Sequence, residues 1–167
     1  TVLGEGGGVC QVSTTLFRAV LYAGLPVVKR TAHDYRVHYY EPPVGLDATV
    51  YSPAVDLQFQ NDTANYFLIQ TEADGVKLKI RLYGTSDGRT VEMGEPIVSR
   101  ETAPPETLYQ EDPILMRGVT KQIDWSAWGA DVSVSRVVRR NGEVLEQDVF
   151  QSHYKPWRAI FLIGTKE

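Results

Sequence analysis

The sequence predicts an α+β protein, in which an N-terminal unit with one principal helix packed on an antiparallel-rich sheet is followed by a small all-β module. Three observations predict this class. One stretch near the start has the apolar spacing of a helix. Pairs of β-prone runs with turn residues between them follow it, and a proline-rich interval separates the earlier pairs from the later ones.

The helix is predicted directly after a run of glycines. Apolar residues recur there at spacings of three and four, which gives the segment one apolar face. They are Val12, Leu16, Ala19, Val20 and Ala23. Gly24 and Pro26 then supply the usual stop signals. Cys10, the only cysteine, therefore falls in or just before the first turn.

Strands are predicted for most of the remaining chain. Four β-prone runs follow the helix, at residues 47–51, 57–60, 66–71 and 76–83. The last two flank Asp74-Gly75 and are expected to form a hairpin with one buried face. A second hairpin is expected around Asn141-Gly142, between a run rich in valine and the run from Val144 to Phe150.

The chain is predicted to contain two domains. The interval 85–112 is rich in proline, glycine and charged residues, and we interpret it as a linker or domain crossing. The first domain would then span residues 1–84 and the second, all-β domain residues 113–167.

Composition limits the classes of function. The 167 residues carry a net charge of −4 and no basic tract, so a nucleic-acid partner is not expected. The three histidines and the single cysteine are not spaced as metal ligands, and no Lys-Ser/Thr pair follows the glycine run, so we expect no metal and no cofactor. Because the chain begins abruptly at the glycine motif, we expect that the full-length protein has an upstream export signal or membrane anchor.

Cys10 is the leading candidate for a reactive group. A thiol at the start of a helix lies among unpaired backbone N–H groups at the positive end of the helix dipole, which favours the thiolate. The alternative is structural, because free cysteine is often buried and packs as a small hydrophobic residue.

Five motifs in the first half of the chain stand in a recognisable order. They are residues 6–17, residues 23–25, His33, residues 45–50 and residues 56–63. Over roughly residues 1–84 they resemble the VanW-like family of vancomycin-resistance-associated proteins. This resemblance implies an exported bacterial envelope protein and brings no settled activity with it. One departure is Asp34, where the family tends to have serine, which puts the family's local hydrogen bonding in question at that position.

The second half has motifs of its own. They are residues 112–115, Gly118, residues 137–144, residues 154–156 and residues 163–166. From about residue 101 onwards the chain resembles a G5 domain, which implies binding to cell-wall polymers that contain N-acetylglucosamine. The two resemblances together imply a protein on the extracellular side of the bacterial cell envelope, with peptidoglycan or cell-wall glycan as its partner.

Histidines and aspartates that follow Cys10 complete a candidate catalytic set. A cysteine nucleophile needs a base, and the base needs a group that fixes its ring. We choose His33 over His38 because His33 occupies the position of the family histidine, and Asp47 over Asp56 because Asp47 adjoins a predicted strand. The order Cys, His, Asp is that of transglutaminase-like and papain-like thiol enzymes.

This set predicts acyl transfer or amide hydrolysis through a thioester, with a peptidoglycan peptide as substrate. Backbone N–H groups at Gly7 and Gly8, together with the Gln11 side chain, are the candidates for stabilising the oxyanion.

Two alternatives stay open at this point. Asp47 and Asp56 each follow turn residues and fit a local turn role. The protein could also bind cell-wall glycan without catalysis, through exposed aromatic side chains that stack on sugar rings. Trp125 and Trp128, near a turn at Gly129, are the best candidates for such contacts.

Overall fold

A long β-hairpin is the largest element of the computed structural model, which describes residues 7–167. Within this range there is one α-helix, α1 (Val9–Tyr22), and a short 3₁₀ turn at His38–Tyr40. The strands are β1 (Val27–Lys29), β2 (Gln58–Phe59), β3 (Leu68–Ala73), β4 (Leu78–Tyr83), β5 (Arg89–Met93), β6 (Ile97–Thr102), β7 (Leu108–Met116), β8 (Thr120–Asp124), β9 (Gly129–Arg140), β10 (Glu143–Tyr154) and β11 (Ile160–Lys166).

Helix α1 begins and ends where the sequence predicts. Gly8 precedes it with a φ of 94°, a left-handed conformation that suits glycine. At the other end Gly24 also has a positive φ, and its N–H donates to the carbonyl of Leu21 while the N–H of Leu25 donates to the carbonyl of Val20. This pair of hydrogen bonds is a Schellman motif, which closes the helix.

Four strands form the main sheet. Strands β9 and β10 are antiparallel and joined by Asn141-Gly142, both with positive φ, as a two-residue hairpin turn requires. Strands β5 and β6 pair with β9 along its other edge. The predicted hairpins at residues 74–75 and 141–142 are both confirmed.

Three smaller sheets complete the structure. Strand β11 lies between β7, to which it is parallel, and β8, to which it is antiparallel. Strands β3 and β4 form an antiparallel hairpin, and β1 pairs with β2 over only two residue pairs. All six residues of β3 are exposed, although apolar and polar residues alternate in its partner β4. This hairpin therefore lacks the fully buried face that the alternation predicts.

The hydrophobic core lies between α1 and the β9–β10 hairpin. Its buried members are Phe17, Leu21, Leu46, Ala48, Ala130, Val132, Val134 and Tyr154. Gly45 lets the chain pass close to this sheet, since a Cβ there would lie 2.6 Å from a methyl group of Val132. The apolar face of α1 is therefore covered by strands that lie more than a hundred residues further along the chain.

A buried arginine also joins these two parts. Arg136 on β9 is fully buried and donates to Asp148 and Glu146, at 2.6 and 2.9 Å. It also donates to the carbonyl of Leu25 at 3.0 Å and contacts that of Leu21 at 3.4 Å. A cation at this position satisfies carbonyls at the C-terminal end of α1 and matches the sign of the helix dipole.

The predicted α+β class is wrong, because the protein is mostly β. About half of the residues lie in strands and 11% are helical. In the described part of the first half the sheets have only two strands each, β1 with β2 and β3 with β4. Helix α1 contacts β4 and packs its buried side chains on the main sheet, whose strands come from the second half.

The predicted domain limits of 1–84 and 113–167 stay a prediction. The interval 85–112 contains β5, β6 and the start of β7, and two of these strands pair with β9.

Candidate active site

The candidate site lies where the first turn of α1 meets the extended segment 46–50. The Thr14 hydroxyl donates to the Ala48 carbonyl at 3.2 Å and accepts from the Ala48 N–H at 3.0 Å, and the Ser13 hydroxyl also donates to that carbonyl. One turn later, Arg18 donates to the carbonyl of Leu46 at 2.8 Å. These bonds fix the start of the helix on the segment that carries Asp47.

Cys10 is half-buried in the first turn of α1. Its Sγ lies 3.4 Å from Thr49 Oγ1 and 3.6 Å from the Val50 carbonyl oxygen. Burial raises the pKa of the Cys10 thiol, but interactions with Thr49, the Val50 backbone and the nearby His33 outweigh it and leave the pKa below its usual value. The structure therefore favours the thiolate, as a helix start also does.

His33 connects Cys10 to Asp47. Its Nδ1 lies 2.6 Å from Asp47 Oδ2, and its backbone N–H donates to the same oxygen at 2.7 Å. This contact fixes the ring through Nδ1 and leaves Nε2 as the nitrogen that Asp47 does not engage. Burial lowers the pKa of His33, but the bonds to Asp47 and Cys10 outweigh it and raise the pKa above its usual value. A raised histidine pKa and a lowered thiol pKa both shift the two groups toward a thiolate–imidazolium pair.

Asp47 is almost fully buried and stays ionised. Burial alone would raise the pKa of its carboxyl, but hydrogen bonds from His33 and Tyr154 and the charge of Arg30 lower the pKa to about 2. The Arg30 guanidinium, also buried, lies 3.2 Å from Asp47 Oδ1 and donates to the Gly45 carbonyl at 3.0 Å. Both carboxylate oxygens of Asp47 thus have defined partners. This arrangement fits a role in positioning His33 as well as a structural role.

The candidate oxyanion groups lie at the start of α1. Gly7, Gly8 and Gln11 are all exposed. The N–H groups of Gln11 and Val12 donate to the Gly8 carbonyl, while the N–H groups of Val9 and Cys10 have no acceptor within the helix. The first-turn amide of Cys10 is therefore the donor nearest to the sulfur along the chain, and the role of Gly7, Gly8 and Gln11 stays a prediction.

The structure brings Cys10, His33 and Asp47 together and leaves the two alternative residues apart. His38 is an exposed residue of the 3₁₀ turn, and its ring contacts that of Tyr39. Asp56 is exposed and accepts a hydrogen bond from its neighbour Gln58 at 3.2 Å. The structure thus shows that His33 is bonded to Asp47 and lies near Cys10. The catalytic role of these three residues stays a prediction.

Three site residues were missed by sequence reasoning. Thr49 contacts the sulfur, while Arg30 and Tyr154 hold the carboxylate. The position of Thr49, two residues after Asp47 on the same extended segment, is the one signal that could have found it. Tyr154 lies 107 residues from Asp47, and no local spacing links the two.

Asp34, which stands where the family tends to have serine, takes no part in these contacts through its side chain. Its carboxylate accepts from Lys155 Nζ at 2.9 Å, and both side chains are exposed. The Asp34 carbonyl also accepts from the Lys155 N–H. The bonds around His33 are therefore made without the side chain that follows it.

Trp125 and Trp128 lie on another part of the surface. They are 63% and 52% exposed and line an open cleft of about 530 Å³. Tyr35 and Tyr39, from the segment that follows His33, also line this cleft. The two tryptophans are therefore accessible to a ligand, and a binding role for them stays a prediction.

Over residues 7–167, no three His, Cys, Asp or Glu side chains are grouped as metal ligands would be. Helix α1 is too short to cross a bilayer, and the described residues hold no other α-helix.

Comparisons with known families confirm both resemblances. Residues 1–83 match the family described as VanW like protein, and residues 94–166 match the G5 domain. The chain thus combines a VanW-like domain with a G5 domain. Proteins of both families are typically associated with the cell envelope.

Two curated relatives match the VanW-like part. The "Uncharacterized protein YoaR" of Bacillus subtilis (strain 168) is 45% identical over 82 residues, which cover 49% of this chain and 26% of the relative. The "Vancomycin B-type resistance protein VanW" of Enterococcus faecalis (strain ATCC 700802 / V583) is 34% identical over 78 residues, covering 44% and 28%. The chain thus spans about a quarter of the length of the curated relatives that it matches.

Two solved G5 structures are similar to part of the chain. The G5 domain of IgA1 protease is 23% identical with a TM-score of 0.29, covering 50% of this chain and 100% of that one. HP0197-G5 is 20% identical with a TM-score of 0.22, covering 46% and 97%. Neither likeness identifies a function for this chain.

Proposed function

We propose, for a chain that joins a VanW-like domain to a G5 domain, a role on the extracellular side of the bacterial cell wall as a thiol acyltransferase or amidase that acts on peptidoglycan peptides. One observation carries the catalytic part. It is the hydrogen bond between Asp47 and His33 beside a half-buried Cys10 thiol, whose pKa is lowered in part by the nearby His33. A nucleophile, a base and a group that orients the base are the parts that such chemistry needs.

The reaction begins with the Cys10 thiolate and the His33 imidazolium. The sulfur attacks the carbonyl carbon of an amide, a C–S bond forms, and the carbonyl oxygen takes the negative charge of the tetrahedral intermediate. His33 gives its proton to the departing nitrogen, the C–N bond breaks, and an amine leaves. The acyl group remains on Cys10 as a thioester.

The second half of the reaction releases the acyl group. Water or an acceptor amine attacks the thioester carbonyl, and His33 takes the proton of this nucleophile. The C–S bond then breaks and the thiolate returns. Water gives hydrolysis, while an amine gives a new amide. Asp47 acts as a positioning residue throughout, because its contact with Nδ1 fixes the His33 ring and leaves Nε2 to exchange the proton.

Muropeptides provide the direct test of this proposal. The protein is incubated with them, and products are followed by mass spectrometry for Cys10→Ser, His33→Gln and the matched control His153→Gln. We expect Cys10→Ser to lose turnover and His33→Gln to lose about 10²–10⁴-fold. His153→Gln should keep turnover, because His153 is exposed and contacts Asp131 rather than the site. Turnover that survives Cys10→Ser, or an inactive wild-type protein, would contradict the proposal.

The second candidate function is non-catalytic attachment to cell-wall polymers that contain N-acetylglucosamine. The family matches favour it over catalysis, since a G5 domain makes up residues 94–166 while neither match assigns a reaction. It is tested by sedimentation with insoluble chitin and with purified sacculi, using the whole chain and Cys10→Ser. Attachment predicts equal retention of both proteins; failure of both to sediment would contradict it.

A further inference from the structure

Three strongly exposed aromatic side chains share one cleft. It is lined by residues 35–41, around the 3₁₀ turn, and by residues 123–128, at and after the end of β8. Trp125 and Trp128 are more than half exposed there, and Tyr39 is 64% exposed. Aromatic side chains normally bury most of their surface, so a group of exposed ones indicates an interaction site.

Contacts next to the cleft hold its two segments together. The Tyr35 ring stacks on Trp157 with centroids 5.0 Å apart and an interplanar angle of 22°. Ala127 and Trp157 exchange two backbone hydrogen bonds at 2.8 and 2.9 Å, and the Lys155 N–H donates to the carbonyl of Asp34. The volume of about 530 Å³ is that of an ordinary ligand site, and a cleft that is already formed loses little conformational entropy when a ligand enters.

The Asp124 carboxylate in this cleft is bonded to uncharged donors. It accepts from the Trp157 indole N–H at 2.8 Å and from the Trp125 backbone N–H at 3.0 Å. None of the ion pairs formed within residues 7–167 includes it. Its charge acts on the neighbouring ring, because burial and then the charge of Asp124 raise the pKa of the Tyr35 hydroxyl. A carboxylate that the protein does not neutralise attracts a cation from solvent.

The other charges that line the cleft cancel. Arg36 donates to both oxygens of Glu41, at 2.9 and 2.7 Å. With the His38 imidazole uncharged, Asp124 therefore leaves the cleft with one net negative charge. The complementary ligand is a cation with a single charge.

The aromatic faces of the cleft are open to such a cation. Among residues 7–167, the contacts between a cationic side chain and an aromatic face are made to Phe17 and Phe150, neither of which lines the cleft. A cation over the face of tryptophan or tyrosine is attracted by the negative charge of the ring face.

Hydrogen bonding selects the kind of cation. A primary ammonium has three N–H donors, which need acceptors in place of water. The Asp124 oxygens already accept from two N–H groups, and both Glu41 oxygens accept from Arg36. A quaternary ammonium has no N–H donor, and aromatic faces beside a negative charge are what it needs.

These observations indicate one class of ligand. We propose that the cleft binds a quaternary ammonium group of the choline type, with its N-methyl groups against Tyr39, Trp125 and Trp128. Asp124 supplies the compensating charge. The cleft is a second site, since Cys10 does not line it, and binding there requires no reaction at the thiol.

Titration of the whole chain with choline at pH 8, followed by tryptophan fluorescence, tests the proposal. All three tryptophans of the chain lie in the cleft or stack on a residue that lines it, so the signal reports on this region. Two analogues are compared with choline. The carbon isostere has the same shape without the charge, and ethanolamine has its charge on a primary ammonium. We expect saturable binding of choline and binding at least about threefold weaker for each analogue.

Variants locate the site. Asp124→Asn and Trp128→Ala should each weaken choline binding by about three- to thirtyfold, the range that one cation–aromatic or charge contact supplies. Asp124→Asn should also remove the preference for choline over its carbon isostere, which a general disturbance of the cleft would not do. Asp56→Asn and Tyr66→Ala are the matched controls and should bind as the wild type does, because both residues are exposed and lie outside the cleft.

The outcomes separate this proposal from the catalytic one. Cys10→Ser should bind choline as the wild type does, whether or not the thiol is catalytic. Phosphocholine distinguishes two sources of the group: equal binding supports recognition of choline attached to a phosphate polymer, and weaker binding supports recognition of free choline. The proposal would be overturned by the absence of saturable binding of choline. It would also be overturned if the carbon isostere bound as tightly as choline, or if Asp124→Asn bound choline as Asp56→Asn does.

Discussion

Replacing Asp47 with asparagine should destabilise the protein in a way that depends on pH. The side chain is 6% exposed, and its carboxylate is bonded to His33, Arg30 and Tyr154. Asparagine keeps the size and one acceptor oxygen but removes the charge. The variant therefore mimics the protonated form of the wild-type residue.

The magnitude follows from the pKa of Asp47. Its fall from the usual 3.8 to about 2 corresponds to about 2 kcal/mol of free energy of unfolding. Because the folded-state pKa is the lower one, this stability is fully present above pH 3.8 and is lost as the pH falls through about 2. At pH 5 the variant should be about 2 kcal/mol less stable than the wild type from this cause, and at pH 3 about half of that difference remains.

Urea denaturation followed by tryptophan fluorescence at pH 5 and pH 3 measures this difference. Both values lie below the usual histidine pKa of 6.5, so His33 is protonated throughout and does not contribute to the change. The control is Asp56→Asn, which removes an exposed carboxylate and should change stability by less than about 0.5 kcal/mol at either pH. An equal loss for Asp47→Asn at both pH values would refute the reasoning.

Two further predictions concern the packing of α1 on the main sheet. Arg136→Ala should lower the free energy of unfolding by about 2–4 kcal/mol, because it leaves two half-buried carboxylates and two carbonyls without their donor. Arg140→Ala, on the exposed end of the same strand, should cost less than about 1 kcal/mol in the same urea experiment. Gly45→Ala should lower the melting temperature in calorimetry more than Gly75→Ala does. Both glycines have a positive φ, but only at Gly45 would the new Cβ meet a valine methyl at 2.6 Å; equal shifts would contradict this packing.

Local features of this fold could be predicted from the sequence. The limits of α1 follow from its apolar spacing and from Gly24, and the turn at Asn141-Gly142 follows from the need for positive φ at both positions. These signals are encoded within a few residues. The fold class could not be predicted in this way, because apolar spacing shows that α1 has a buried face without showing which strands cover it.

The candidate site also contains some residues that the sequence could indicate and others that it could not. Cys10 at a helix start, followed by His33 and Asp47, could be selected from residue types, order and the resemblance to a family. Tyr154 and Arg30 could not, since they reach the carboxylate through the packing of β10 and the loop after β1. Contacts over 107 residues depend on the completed fold, and a single sequence carries no local signal for them.

The rate at which iodoacetamide alkylates Cys10, measured against pH, tests most directly whether the three residues form an activated thiol. Cys10 is the only cysteine, so the incorporated label reports on this residue alone. We predict a midpoint below the usual pKa of a thiol, and an upward shift of that midpoint in His33→Gln but not in His38→Gln. A midpoint at or above the usual thiol value that His33→Gln leaves unchanged would contradict the ion pair on which the proposed chemistry depends.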